Sequence, residues 1–106
     1  MTLTTTSGST TSTASEANLF DITGTAHYAT EIFLHNMTAT ETIVLKVYFK
    51  DDNGATMRLY QTITLSGVQA EPAGFISFLP ARQYKVTIQR TAGTDRVYTW
   101  DRIEVT

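Results

Sequence analysis

From residue 17 onward, apolar and polar side chains alternate in short runs separated by turn chemistry. A period of two marks half-buried strands, because successive side chains point to opposite faces. The pattern predicts strands near residues 18–23, 26–35, 42–50, 55–65, 74–79, 83–91 and 96–105. No window repeats apolar residues at i, i+3, i+4 and i+7, so no amphipathic helix is expected. The stretch "MTATE" (37–41) has room for one helical turn. Seven short strands at this spacing predict an all-β, antiparallel body, a β-sandwich or jelly roll rather than βαβ units.

Two hairpins stand out. In "TIVLKVYFKDDNGATMRLYQTITL" a two-residue Asn53-Gly54 turn would set Phe49 opposite Arg58 and Val47 opposite Tyr60. A three-residue Asp52-Asn53-Gly54 loop sets Phe49 opposite Met57, Val47 opposite Leu59 and Ile43 opposite Ile63. One slip flips every side chain, so the apolar pattern favours the longer loop. Its outer face would pair Tyr48 with Arg58 and Lys46 with Tyr60. The second hairpin turns at Ala92-Gly93-Thr94, with Ile88 meeting Tyr98 and Val86 meeting Trp100. Between the hairpins Pro72 and Pro80 cannot donate to a ladder, which predicts a short edge strand there.

The first sixteen residues break the pattern. "MTLTTTSGSTTSTASE" is almost all Thr and Ser, with no charged side chain before Glu16. It predicts an extended arm (1–16) separate from a β domain (17–106). The arm has strand preference and no repulsion to keep it off another sheet edge. Ordering it costs on the order of 1–2 kcal/mol per residue, which suits a lattice where many copies act at high effective concentration.

Composition then removes function classes. Net charge is −2 over 106 residues, and basic residues are interleaved with acids, so no footprint for nucleic acid exists. With no cysteine there is no disulfide, zinc-thiolate site or thiol nucleophile. The N-terminus lacks the basic and apolar regions of a signal peptide, and nothing approaches the ~20 apolar residues of a membrane span. A soluble protein made without export is expected.

Candidate chemistry is sparse. His27 and His35 would share a strand face about 27 Å apart, too far to hold one metal, with Glu31 between them. They read as surface histidines. No Gly-x-Ser-x-Gly elbow frames a serine. "DDNG" lacks the rest of a calcium loop and reads as a turn, and "NMT" (36–38) is a chance glycosylation triplet. Tyr48, Tyr60, Tyr98 and Trp100 could form an aromatic platform for sugars, although such residues are more often core or subunit interface. No catalytic residue, cofactor or metal site is expected.

Along "ANLFDITGTAHYATEIFLHNMTATETIVLKVYFK", "RLYQTITLSG" and "YKVTIQRTAGTDRVYTW", the chain resembles small virion structural proteins of tailed double-stranded-DNA bacteriophages, most of all capsid cement or decoration proteins. The resemblance implies a β-sandwich or jelly-roll body, commonly a homotrimer on the outer capsid, with an N-terminal arm along the shell. The expected function is therefore a non-enzymatic cement protein that bridges major capsid protein subunits, located on the outer capsid surface of the virion and in host cytoplasm during assembly. Thr2, Leu3, Thr4, Thr5, Thr6 and Ser7 would form the capsid-contact arm. Tyr48, Arg58 and Tyr60, or Phe75 and Phe78, would form the subunit interface. Partners would be the shell protein and neighbouring cement subunits, with no nucleic acid, membrane or small-molecule substrate. Alternatives are a tail, neck or head-completion part, or a carbohydrate-binding adhesin module. Deleting residues 2–15 is expected to leave the melting of the body nearly intact.

Overall fold

A computed structural model describes residues 2–50, 56–70 and 73–106, giving only the backbone for 73–78. The described residues form one antiparallel sheet of six strands: β1 (Leu3–Thr11), β2 (Ala17–Phe33), β3 (Thr42–Lys50), β4 (Arg58–Ser66), β5 (Ala73–Ala92) and β6 (Val97–Val105). Their order is β1-β6-β2-β5-β3-β4, with no helix among them. The antiparallel all-β expectation holds; the count of seven strands does not. Two pairs of predicted strands are continuous, and the presumed arm supplies an extra one.

The first fusion runs through Gly24. Between Thr23 and Ala26 of β2 lie two residues, opposed by one residue between Ala81 and Gln83 of β5. This is a bulge of two against one, which bends the strand without ending it. Gly24 takes φ 150°, and its carbonyl accepts the Tyr28 hydroxyl. The bend has a large effect. Trp100 pairs with Ile32, twelve residues from Phe20, a span of about 40 Å along a straight strand. Yet the Phe20 and Trp100 rings lie 5.0 Å apart. The sheet therefore folds over on itself at the β2 and β5 bends.

Between the folded halves sits the core. Phe20, Tyr28, Ile32, Ile43, Leu45, Val47, Tyr84, Val86, Ile88, Tyr98 and Trp100 are all buried there. Tyr28 and Tyr84 stack at 5.0 Å, and the Tyr84 hydroxyl meets Thr30 Oγ1 at 2.5 Å, tying a polar pair into the interior.

Register differs from expectation in both predicted hairpins. Phe49 pairs with Arg58, the arrangement of the shorter turn, while the turn itself (51–55) lies outside the described residues. Tyr60 is then left over: Tyr48 pairs with Leu59 and Val47 with Gln61. That extra residue flips the phase, so Leu45 meets Ile63 and Ile43 meets Leu65. Hydrophobic matching does govern the far half, but through a bulge inside β4. The second hairpin does not form. β5 pairs with β2 and β3, whereas β6 pairs with β1 and β2.

The reason lies in residues 93–96. Gly93 has φ 84°, and a Cβ there would stand 2.6 Å from the Thr40 carbonyl oxygen. Arg90 reaches forward, Nη1 donating to Gly93 O (2.8 Å) and Nε to Asp95 (2.5 Å). The chain is thus pressed against the 34–41 loop and leaves β5 for the opposite half of the sheet.

Candidate functional site

Residues 3–11 do not hang free. β1 pairs with β6 over nine consecutive residues without a shift, from Leu3 opposite Val105 to Thr11 opposite Val97. Thr2 and Thr106 exchange both backbone bonds, at 2.7 and 2.9 Å. Gly8 explains why a glycine interrupts the Thr/Ser run. A Cβ on it would lie 2.5 Å from Trp100 Cζ2, so the indole of its cross-strand partner occupies the side-chain position. Trp100 Nε1 donates to Thr10 Oγ1 (3.2 Å), and Ser7 Oγ donates to Asp101 (2.6 Å). The arm is a fitted edge strand. Removing residues 2–15 would uncover Trp100, so the expectation of an unaffected body is withdrawn.

Beyond β1 the chain stays anchored. Ser12 is fully buried, its N–H bonded to Arg96 O (2.8 Å) while its Oγ accepts from Arg96 N (3.0 Å). Arg90 N donates to Thr13 O. Glu16 Oε2 then accepts from Thr87 Oγ1 (2.7 Å) and the Tyr48 hydroxyl (2.8 Å), and Lys46 Nζ lies 3.9 Å from Oε1. The Thr87 hydrogen bond, joined by Tyr48 and the two lysines, Lys46 and Lys85, holds the Glu16 carboxyl below its ordinary pKa. Tyr48 is pushed up by burial and by Glu16.

Backbone direction on β1 follows from these bonds. Hydrogen-bonded pairs alternate along an antiparallel ladder. Thr2 and Ser12 face β6, so Thr4, Thr6, Gly8 and Thr10 do as well. Leu3, Thr5, Ser7, Ser9 and Thr11 therefore aim their N–H and C=O groups away from the sheet, and their side chains are exposed. β1 has no second ladder among the described residues.

Among the described residues three other long stretches of the folded sheet are open on one side, and each carries a device that discourages pairing. The 17–23 stretch of β2 has Asp21 and a register shift between Asn18 and Phe20. The 73–82 stretch of β5 has Pro80 and a shift opposite Thr30/Glu31; it lies at an edge as expected, but as the first half of a twenty-residue strand that runs on through Pro80 and not as a short strand. β4 has Arg58 and the Tyr60 bulge. β1 has no charge, proline or bulge.

Other predicted site residues are scattered. Tyr48 does not share a face with Arg58 as expected, because Arg58 pairs with Phe49 and Tyr48 with Leu59. Tyr48 lies under Lys85 Nζ (4.6 Å to its ring), because β3 is central and its other neighbour is β5. Tyr60, 54% exposed, stands edge-on to Phe49 at 5.4 Å. Tyr98 and Trp100 are core residues, which dismantles the four-residue aromatic platform. Phe75 and Phe78 lie in β5, but their side chains are outside the described residues. His27 is exposed on β2 and His35 in the turn after it. Among the described residues no cluster of three metal-ligating side chains occurs. Asn36 Nδ2 donates to Val97 O (2.6 Å), so the "NMT" triplet serves a loop contact.

Sequence reasoning missed one polar centre. Glu41 is buried and bonded to Thr38 N (2.9 Å), to both threonine hydroxyls of "TAT", and to Arg96 Nε. Those partners, the Thr40 hydroxyl first, hold its pKa down to about 2. The T-x-x-E spacing of 38–41 was the legible signal, since it is the reciprocal pattern of a capping box. Here it closes a turn. Glu41 and Arg96 join the 34–41 loop to the 93–96 connection, and nearby Tyr98 carries a buried hydroxyl with no hydrogen bond among the described residues. No protein-family model matches the chain, and no curated protein matches it.

Proposed function

We propose that this chain is a non-enzymatic assembly protein that docks through a sheet edge, and that its assembly is the outer capsid of a tailed phage, where it acts as cement between major capsid protein subunits. The observation that carries the docking half is the unguarded β1 edge: five outward-facing residues, uncharged and in unbroken register. Edges left in this state invite pairing with another chain. The capsid half rests on the resemblance of the strand patterns to phage decoration proteins, with a body of sandwich or jelly-roll kind. In this reading Thr2 to Ser7 still make a contact, as part of a folded strand set against a neighbouring cement subunit instead of a loose clasp on the shell.

The test is co-sedimentation of the purified chain with shells assembled from the major capsid protein encoded alongside it. The expected result is saturable binding at a fixed ratio per capsomer, together with shells that withstand higher temperature. Failure to sediment with those shells overturns the capsid assignment.

A further inference from the structure

We infer that the β1 edge is occupied by β1 of a second copy of this chain, paired antiparallel about a two-fold axis through Ser7. The inference rests on the reading above only in taking that edge as the docking surface, and it requires no shell. Three observations select a second copy over another partner.

The first is register. Outward groups sit on odd residues, so an antiparallel copy centred on Ser7 sets Leu3 opposite Thr11, Thr5 opposite Ser9, and Ser7 opposite Ser7. Every outward residue then meets an outward residue. Each of the five uses one N–H and one C=O, and the full length of about 30 Å is matched because both strands are the same strand.

The second is charge. Identical edges usually repel one another through their charged side chains, which is how natural sheets avoid this pairing. Residues 2–15 carry none. The nearest charges to the axis are the two Asp101 carboxylates, each bonded to Ser7 and one strand further in. Their strands would be three strand spacings apart, about 14 Å, and the carboxylates, which lean toward Ser7, about 10 Å, still beyond a Debye length of about 8 Å at physiological salt.

The third is the absence of a side-chain key. A foreign peptide added to an edge is selected by pockets for its alternate side chains. The outward-facing row offers Thr5, Ser7, Ser9 and Thr11 hydroxyls and one exposed Leu3. Such a row selects for length and register, which a second copy supplies by identity. Association through such an edge is isologous and closes at two subunits, unlike the trimer implied by the resemblance.

The test uses the full chain and light scattering over a concentration series. The wild type is expected to rise from 11.7 kDa toward twice that mass. Ser9→Pro removes an outward N–H while leaving the bonds to β6. The double variants T5K/S9K and T5E/S9E place like charges opposite each other twice across the axis. Each should weaken association by about tenfold or more, with urea midpoints confirming that the fold is kept. Mixing the lysine and glutamate doubles should restore the dimer.

A wild type that stays at the single-chain mass throughout, a mass of three chains, or a dimer untouched by all three variants overturns the inference. A monomer that nevertheless sediments with shells removes this inference and keeps the capsid reading. A dimer that does not sediment does the reverse.

Discussion

Replacing Gly8 with alanine places a methyl group where the Trp100 indole lies. The new carbon would be 2.5 Å from Cζ2 and 2.9 Å from both Cε2 and Cη2. Ordinary contact needs about 3.5–4.0 Å, so ring or strand must move by about 1 Å. The ring has little room, since it is only 7% exposed, packed on Phe20 at 5.0 Å and bonded to Thr10. Overpacking of this kind costs about 1–3 kcal/mol. Alanine returns about 0.5–1 kcal/mol through lower unfolded-state freedom. The net expectation is a loss of up to about 2.5 kcal/mol, about 1 kcal/mol at the middle of the two ranges. For a chain of this size that lowers Tm by about 4–8 °C per kcal/mol. Urea unfolding followed by the fluorescence of the single tryptophan reads the effect at its source. Trp100→Leu should relieve the overlap, so the double variant, followed by circular dichroism, should be less destabilised than the sum of the two singles. A Gly8→Ala protein as stable as the wild type or more so, with unchanged emission, would mean that β1 does not lie against β6.

Three further outcomes follow from the loops and the core. The Glu41 carboxyl is held at about 2 against an ordinary 4.5, so its contribution is complete above about 4.5 and fades as pH falls toward 2; Glu16, also lowered, acts in the same direction. The urea midpoint should fall across that window, and Glu41→Gln should flatten the slope; an unchanged slope would refute the assignment. Gly93→Ala combines a positive φ with a Cβ 2.6 Å from Thr40 O, and should cost about 1–3 kcal/mol by the same unfolding assay. Tyr98→Phe removes a buried hydroxyl that makes no hydrogen bond among the described residues, so stability should stay level or rise by about 1 kcal/mol, and a loss of that size would contradict the reading.

Alternation alone located β3, β4 and β6 to within a few residues, because part of each keeps the period: Ile43, Leu45 and Val47 are buried in β3, Tyr98 and Trp100 in β6, and Gln61, Ile63 and Leu65 are half-buried in β4. It misjudged β2 and β5 because Gly24 and Pro80 look like punctuation, whereas a bulge lets one strand bend and carry on. "TAGTD" resembles a hairpin loop in composition. What prevents the hairpin is a contact with Thr40, fifty-three residues earlier, which no local pattern carries. β1 was the hardest to read. It has almost no apolar residue to bury, and its fit depends on Gly8 meeting Trp100, a pairing of residues 92 positions apart. The site shared that fate: an edge is defined by which neighbour is missing, and neighbours come from topology.

The Ser7–Asp101 hydrogen bond joins residues 94 positions apart. Closing a loop of that size is slow, and pairings of such high contact order tend to form late. During synthesis β1 is made before β6 and must wait for it before it can zip. Throughout that interval the β1 backbone groups that will face β6 are left to water, and neighbouring growing chains on one messenger expose the same uncharged strand side by side.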